Sequence, residues 1–173
     1  MKDADLNGEF SGTSSKPYWL WSIPFVMVLY LISFHNYLLF HGLAEGFSIA
    51  IAFCMFILAW NSRQFMENHF LLFLGLAYAF VGFLDLMHAF AYKGMGVFPN
   101  QGANPATQLW IAARYLQSIS LLIAPIWLKR KLPVNSTITC FALYVCLILA
   151  TVFYWPVFPD CFVEGAGLTT FKI

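Results

Sequence analysis

Five ionisable residues interrupt the apolar stretches of this chain: His41, Glu45, Asp85, His88 and Arg114. Imidazoles, carboxylates and a guanidinium are the groups that ligate metals, hold anions and move protons. Spacing sorts them into pairs. His41 and Glu45 stand at i,i+4 and Asp85 and His88 at i,i+3, so each pair shares a face if its segment is helical. Tyr78 precedes Asp85 by about two helical turns, and Gln117 follows Arg114 at i+3. In lipid, an ionised side chain near the bilayer centre costs at least about 2.5–3.5 kcal/mol, which makes each of these a functional candidate by default.

The elements that carry them are apolar helices. Of 173 residues, 61% are hydrophobic, 19% aromatic and only 10% charged, against roughly 25% charged in a soluble domain. Mean hydropathy is +0.73. Apolar runs of spanning length recur, and the short alternating segments of a β-barrel do not, so the reading is an all-α, polytopic transmembrane helix bundle. Its partner is the lipid bilayer. A net charge of +1 makes no case for nucleic acid.

Residues 1–16 are polar and read as a disordered tail; residues 17–173 read as one membrane domain. A first span is expected over 18–33, opened by the interfacial anchors Trp19 and Trp21. Its apolar core faintly resembles a signal peptide, but no small-residue cleavage site follows, so an uncleaved helix is expected. After a tight turn at 33–36, further spans are expected over 37–60, 70–92, 108–128 and 136–155, with an irregular Gly/Pro loop at 93–107. Segment 156–173 turns apolar as the chain stops and reads as the approach to a sixth helix. Lys2, Lys16, Arg63, Lys129, Arg130 and Lys131 fall on one side, Lys93 and Lys172 on the other. The positive-inside rule then puts the N-terminus in the cytoplasm.

With that orientation, His41 and Glu45 lie in the outer third of the second span, and Asp85 and His88 in the outer third of the third. Arg114 lies roughly 10 Å below the outer start of the fourth, at 1.5 Å per residue. All five are expected at one depth, in a pocket open to the outside with Tyr78 and Gln117, beneath an outer loop bearing Asp160, Cys161 and Glu164. The bland alternative is structural: Arg114 pairs Asp85 or Glu45, and the histidines donate to backbone carbonyls. As a site, the four His and carboxylate groups suit a divalent metal. His41 and His88 could instead ligate a haem, with Arg114 on a propionate or another anion. An organic ligand or a pH-sensing cluster also stays open.

Other residues carry less. His35 and His69 fall in turns and are expected to be solvated, and Arg63 and Glu67 could pair across an inner turn. Gly75 and Gly82 should let a neighbouring helix approach closely. Cys54, Cys140 and Cys146 are expected as small packing hydrophobes, and Cys161 in an exposed loop without a partner. No metalloprotease, hydrolase or phosphate-loop motif occurs, so no catalysis is expected in this chain.

Four stretches carry a resemblance: YLLFHGLAEGFSIAIAFCMFILAW (37–60), Leu71–Phe98 with its VGFLDLMHAFAYKGMGVF, TQLWIAARYLQSISLLIAPIWLKRKL (107–132) and PDCFVEGAGLTTFKI (159–173). The chain resembles the third class of bacterial membrane-associated sensor domains. The resemblance implies a multi-helix input module at the N-terminus of histidine kinases and diguanylate cyclases, in the bacterial inner membrane. It implies that His41, Glu45, Asp85, His88, Arg114, Asp160, Cys161 and Glu164 belong to signature strings, and it names no ligand. Family members continue through further helices into a cytoplasmic output domain, so this chain is expected to be a truncated sensor region, working as a homodimer. The competing expectations are a haem- or metal-bearing redox protein and, less favoured, a small transporter. The transporter lacks polar residues along the inner halves of the spans.

Overall fold

The computed structural model describes residues 22–98 and 102–172. Five helices follow in order: α1 (Ser22–His35), α2 (Tyr37–Ser62), α3 (Phe70–Ala91), α4 (Asn104–Ile123) and α5 (Val134–Leu149). A 3-10 turn, Ala124–Leu128, prolongs α4, and a π turn, Ala150–Tyr154, prolongs α5. With those extensions, α2 to α5 are four helices long and apolar enough to cross a membrane. The described part of α1 is shorter; residues 18–21 of the expected first span, and the whole 1–16 tail, lie outside the described residues.

Helix starts follow local chemistry. The link between α1 and α2 is one residue, Asn36, whose side chain accepts a bond from the Leu39 amide at 3.0 Å and caps α2. The fourth helix starts at Asn104, four residues before the expected start, because Pro105 suits a first turn whose amide needs no partner. The largest departure is at the C-terminal end. No helix begins between residue 156 and residue 172; the segment folds into a hairpin, β1 (Phe162–Val163) against β2 (Gly167–Leu168), with Phe162 opposite Leu168. Gly165 and Gly167 turn it at φ +86° and +85°, a backbone region that side-chain-bearing residues rarely enter.

The bundle is organised around α3, which packs on α2, α4 and α5 and buries thirteen of its residues. Neighbouring helices run antiparallel: Gly75 and Gly82 of α3 meet Ala59 and Ala52 of α2, and Tyr144 of α5 donates to the Ala112 carbonyl of α4 at 2.9 Å. A Cβ at Gly75 would stand 2.3 Å from that of Ala59, so the close approach read from the glycines is present. Residues 92–98 and 102–103 and the hairpin therefore share one end of the bundle, the loop end. The short links carrying Arg63 and Lys129–Lys131 share the other.

At that other end, Arg63 does not pair with Glu67; it bonds the Trp60 carbonyl at 2.6 Å and lies over the Trp60 ring. His35 is exposed, whereas His69 is half-buried and its Nδ1 is shielded from solvent. Cys54, Cys140 and Cys146 lie on the outer surface of their helices rather than in the core, and Cys161 is buried. Both correct the expectation, because which way a short apolar side chain faces depends on where neighbouring helices sit.

Candidate functional site

At the loop end, a cavity of about 520 Å3 opens between α2, α3 and α4. Its floor holds His41 and Glu45 from one face of α2 and His88 from α3. Tyr92, Ala106, Thr107 and Trp110 form walls, Phe162 and Leu168 of the hairpin roof it, and Lys93 and Lys172 stand at its rim.

The three floor residues converge. One ligating atom from each of His41, Glu45 and His88 lies within 4.8 Å of the other two. The His88 ring is buried, and its Nδ1 is 2.7 Å from the Ala106 carbonyl oxygen. A carbonyl only accepts, so Nδ1 carries the proton and a neutral His88 keeps its lone pair on Nε2. That Nε2 faces Glu45 Oε1 at 3.8 Å, beyond hydrogen-bond reach. His41 lies edge-on to His88, with ring centroids 5.7 Å apart, and packs on Tyr92 at 4.0 Å. Its Nε2 is buried with no hydrogen-bond partner among the described residues.

Asp85 and Arg114 do not join this group, and the single five-charge pocket is corrected here. Arg114 Nη2 donates to Asp85 Oδ2, and Nη1 donates to Gln117 Oε1 at 2.7 Å. Gln117 Nε2 in turn donates to the Tyr78 hydroxyl at 3.0 Å. Asp85, Arg114, Gln117 and Tyr78 thus form a separate α3–α4 network, and none of them lines the cavity. The reason is helical geometry: a step of three residues rotates a side chain by about 300°, so two residues on nominally one face diverge by about 60°. On a helix flanked by two neighbours that is enough to set the His88 ring between Ala106 of α4 and Glu45 of α2, while Asp85 turns to Arg114 of α4.

The outer-loop residues hold the roof rather than line the cavity. Asn104 is the peg: its Nδ2 donates to Asp160 Oδ1 at 2.7 Å, while its Oδ1 accepts from the amides of Cys161 and Phe162 at 2.8 and 3.0 Å. Gln108 Nε2 donates to the carbonyls of Phe158 and Pro159, both at 3.0 Å. Lys93 Nζ donates to Glu164 Oε1 at 2.9 Å, an exposed pair of small energetic weight. Cys161, expected in the open, is 0% exposed, and burial raises its thiol pKa above the ordinary value, against a smaller opposing effect of Lys172. The sequence reading missed Asn104 and Gln108, which hold the roof, and the lining residues Thr107, Trp110, Phe162 and Leu168. The Asn-Pro helix start was the available signal for Asn104.

The match to known families covers residues 32–173 and is to the MASE3 membrane-associated sensor domain. The chain belongs to that family. No curated protein and no solved structure matches it. Membership in MASE3 makes the bundle a membrane-associated sensory module, a role that agrees with the absence of a catalytic motif. The MASE3 match spans α2 to the hairpin, so every residue of the cavity and of the Asp85–Arg114 network lies within it.

Proposed function

We propose that this MASE3 domain receives an extracytoplasmic signal in the loop-end cavity and passes it to a cytoplasmic output domain, a histidine kinase or a diguanylate cyclase, within a homodimer. The observation that carries the reading is the construction of the cavity: three chemically active side chains on two helices, walled by a third helix and roofed by a pegged hairpin. Four antiparallel spans with Arg63 and Lys129–Lys131 on one end favour that end as cytoplasmic in a bacterial inner membrane, which turns the cavity outward.

The relay runs through α3. It supplies His88 to the cavity and is also the helix on which α2, α4 and α5 pack. A ligand that binds one arrangement of α2 against α3 better than another shifts the population by that difference in affinity. Transport is less well supported, because α3 below Asp85 packs through Leu72, Phe73, Leu76 and Ala77, an apolar and closed column.

Thr107→Trp tests the reading by filling the cavity from α4. In the protein's natural polypeptide, it should lock autophosphorylation or cyclic-di-GMP synthesis in one state. Output that responds as in the unaltered protein would remove the cavity from the signalling path.

A further inference from the structure

The floor of the cavity has the chemistry of a metal centre. We propose that His41, Glu45 and His88 hold a divalent transition metal of the zinc class, with a fourth position open to the cavity; this rests on the cavity being the sensory pocket and names what its floor binds.

Four features carry the assignment. The donors are two imidazoles and one carboxylate, a set that binds zinc while leaving one position free for water or an incoming ligand. Their spacing is close to what such an ion needs. Bonds of 2.0–2.2 Å in a tetrahedron imply ligand edges of about 3.3–3.6 Å; Glu45 and His88 already stand at 3.8 Å, and the longest separation in the trio is within 4.8 Å. A closure of roughly 1 Å, small for side chains on two helices, completes the site.

The protonation pattern is the third feature. His88 is oriented by its Nδ1–H bond to the Ala106 carbonyl, which leaves Nε2 as a lone-pair donor aimed at Glu45. An imidazole whose second nitrogen donates to a backbone carbonyl is the usual arrangement of a metal-bound histidine. Fourth, the site is uncompensated without a cation. His41 Nε2 is buried with no partner among the described residues, and the Glu45 carboxylate, 20% exposed, makes no hydrogen bond to the histidine it faces. Buried polar groups in that condition call for a bridging species.

The geometry favours an ion over a porphyrin. A bis-histidine haem needs a wide planar slot between its two imidazoles. Here the two imidazoles meet edge-on with centroids 5.7 Å apart, Glu45 offers an oxygen within 4.8 Å of both, and Tyr92 packs 4.0 Å from the His41 ring, so no such slot is open between them.

Chelator-treated full chain in detergent, titrated with Co2+ and then Zn2+, tests the assignment. Stoichiometric uptake is expected, with the visible bands of four-coordinate Co2+ displaced by Zn2+. His41→Ala, His88→Gln and Glu45→Gln should each weaken binding by more than the roughly 10–100-fold that attends loss of a ligand's outer partner. Asp85→Asn, outside the trio, should leave it unchanged. Folded wild-type chain that takes up neither ion overturns the proposal even if every variant misfolds. So does a Soret band in the chain as purified, or uptake undiminished in all three ligand variants. Failure of the metal while Thr107→Trp still alters output removes the ion and leaves the sensory pocket. Stoichiometric Co2+ with a silent Thr107→Trp does the reverse.

Discussion

Two kinds of buried polar chemistry sit side by side on α3, and they do different work. Asp85, 4% exposed, is spoken for by Arg114, and together with Gln117 and Tyr78 it ties α3 to α4. Breaking such a pair from one side strands a charge, at a cost of about 3–5 kcal/mol when both partners are buried and less here because Arg114 is 37% exposed. Asp85 Oδ1 and Arg114 Nε, also buried, have no hydrogen-bond partner among the described residues. His88, one turn away, bonds the Ala106 carbonyl of α4 through Nδ1 and turns its second nitrogen to the cavity, which is the arrangement the proposed metal ligand needs. Cys161 shows how far a side chain's behaviour depends on its neighbours. Its burial beneath Asp160 and the hairpin keeps the thiol protonated above its ordinary value of 9.0. Because the folded form holds that proton more tightly, the contribution to stability is full below about pH 9 and declines as pH rises through the folded pKa. Alkylation of Cys161 near neutral pH should therefore be slow. Asn104→Ala, which frees the backbone amides of Cys161 and Phe162, should speed it by on the order of tenfold or more, since the freed loop exposes a thiolate-forming sulfur. Mass spectrometry over a maleimide time course reads the rate, and equal rates in the two proteins would show that the peg does not hold the roof.

Among the described helices, α2 and α3 share the most extensive contact and approach tightly at Gly75 and Gly82. Helices in lipid gain little from the hydrophobic effect against one another, so small residues that let backbones approach supply the packing. Gly75 is the tightest point, with Ala59 and the Met55 carbonyl against it. Gly75→Val should destabilise the bundle by about 1–3 kcal/mol through overpacking. Gly46, on α2 with nothing within 4 Å of an added Cβ, is the matched control. Gly46→Ala should be neutral or stabilise by up to about 1 kcal/mol, from helix propensity alone. Thermal denaturation in detergent separates the two, and an undisturbed Gly75→Val would mean that α2 is free to shift away from α3. The contact also positions the site, because the helix face that meets Gly82 through Ala52 continues toward the loop end to Glu45 and His41.

Viewed as one bundle, the protein is asymmetric from end to end. The loop end holds the cavity, the hairpin, Lys93 and Lys172; the other holds short links and the basic cluster Lys129–Lys131. Much of α1 and α2 faces outward with large apolar side chains, as a lipid-facing or helix-facing surface requires. The proposed orientation makes the loop end extracytoplasmic. Cys161 is too buried to report this, so exposed positions are needed. In intact cells, a membrane-impermeant maleimide should label Val163→Cys on the hairpin, and should reach Asn135→Cys only after permeabilisation. The opposite pattern would turn the cavity to the cytoplasm and replace an external signal with an internal one.

What the chain settles by itself follows from chemistry that is local along it. Apolar runs of spanning length make the helices, Asn36 and Pro105 start two of them, and the motif strings identify a MASE3 sensor domain. His41, Glu45, Asp85, His88 and Arg114 were also legible as candidates, since an ionisable residue in an apolar helix is anomalous wherever the helix packs. Which of them could meet along the bundle was legible too, because a rise of about 1.5 Å per residue converts position into distance, and Glu45 does stand beside His88 and Asp85 beside Arg114. Their partition was not. Whether Asp85 meets Arg114 or the histidines depends on the azimuth at which α4 and α2 sit around α3, and that is decided by contacts such as Gly75 with Ala59, far along the bundle. The hairpin roof likewise waited for the fold, because the groups that hold 158–162, Asn104 and Gln108, lie about fifty residues earlier in the chain. Periodicity along one helix carries no record of which neighbour stands at each angle, so the site's membership was left to tertiary packing.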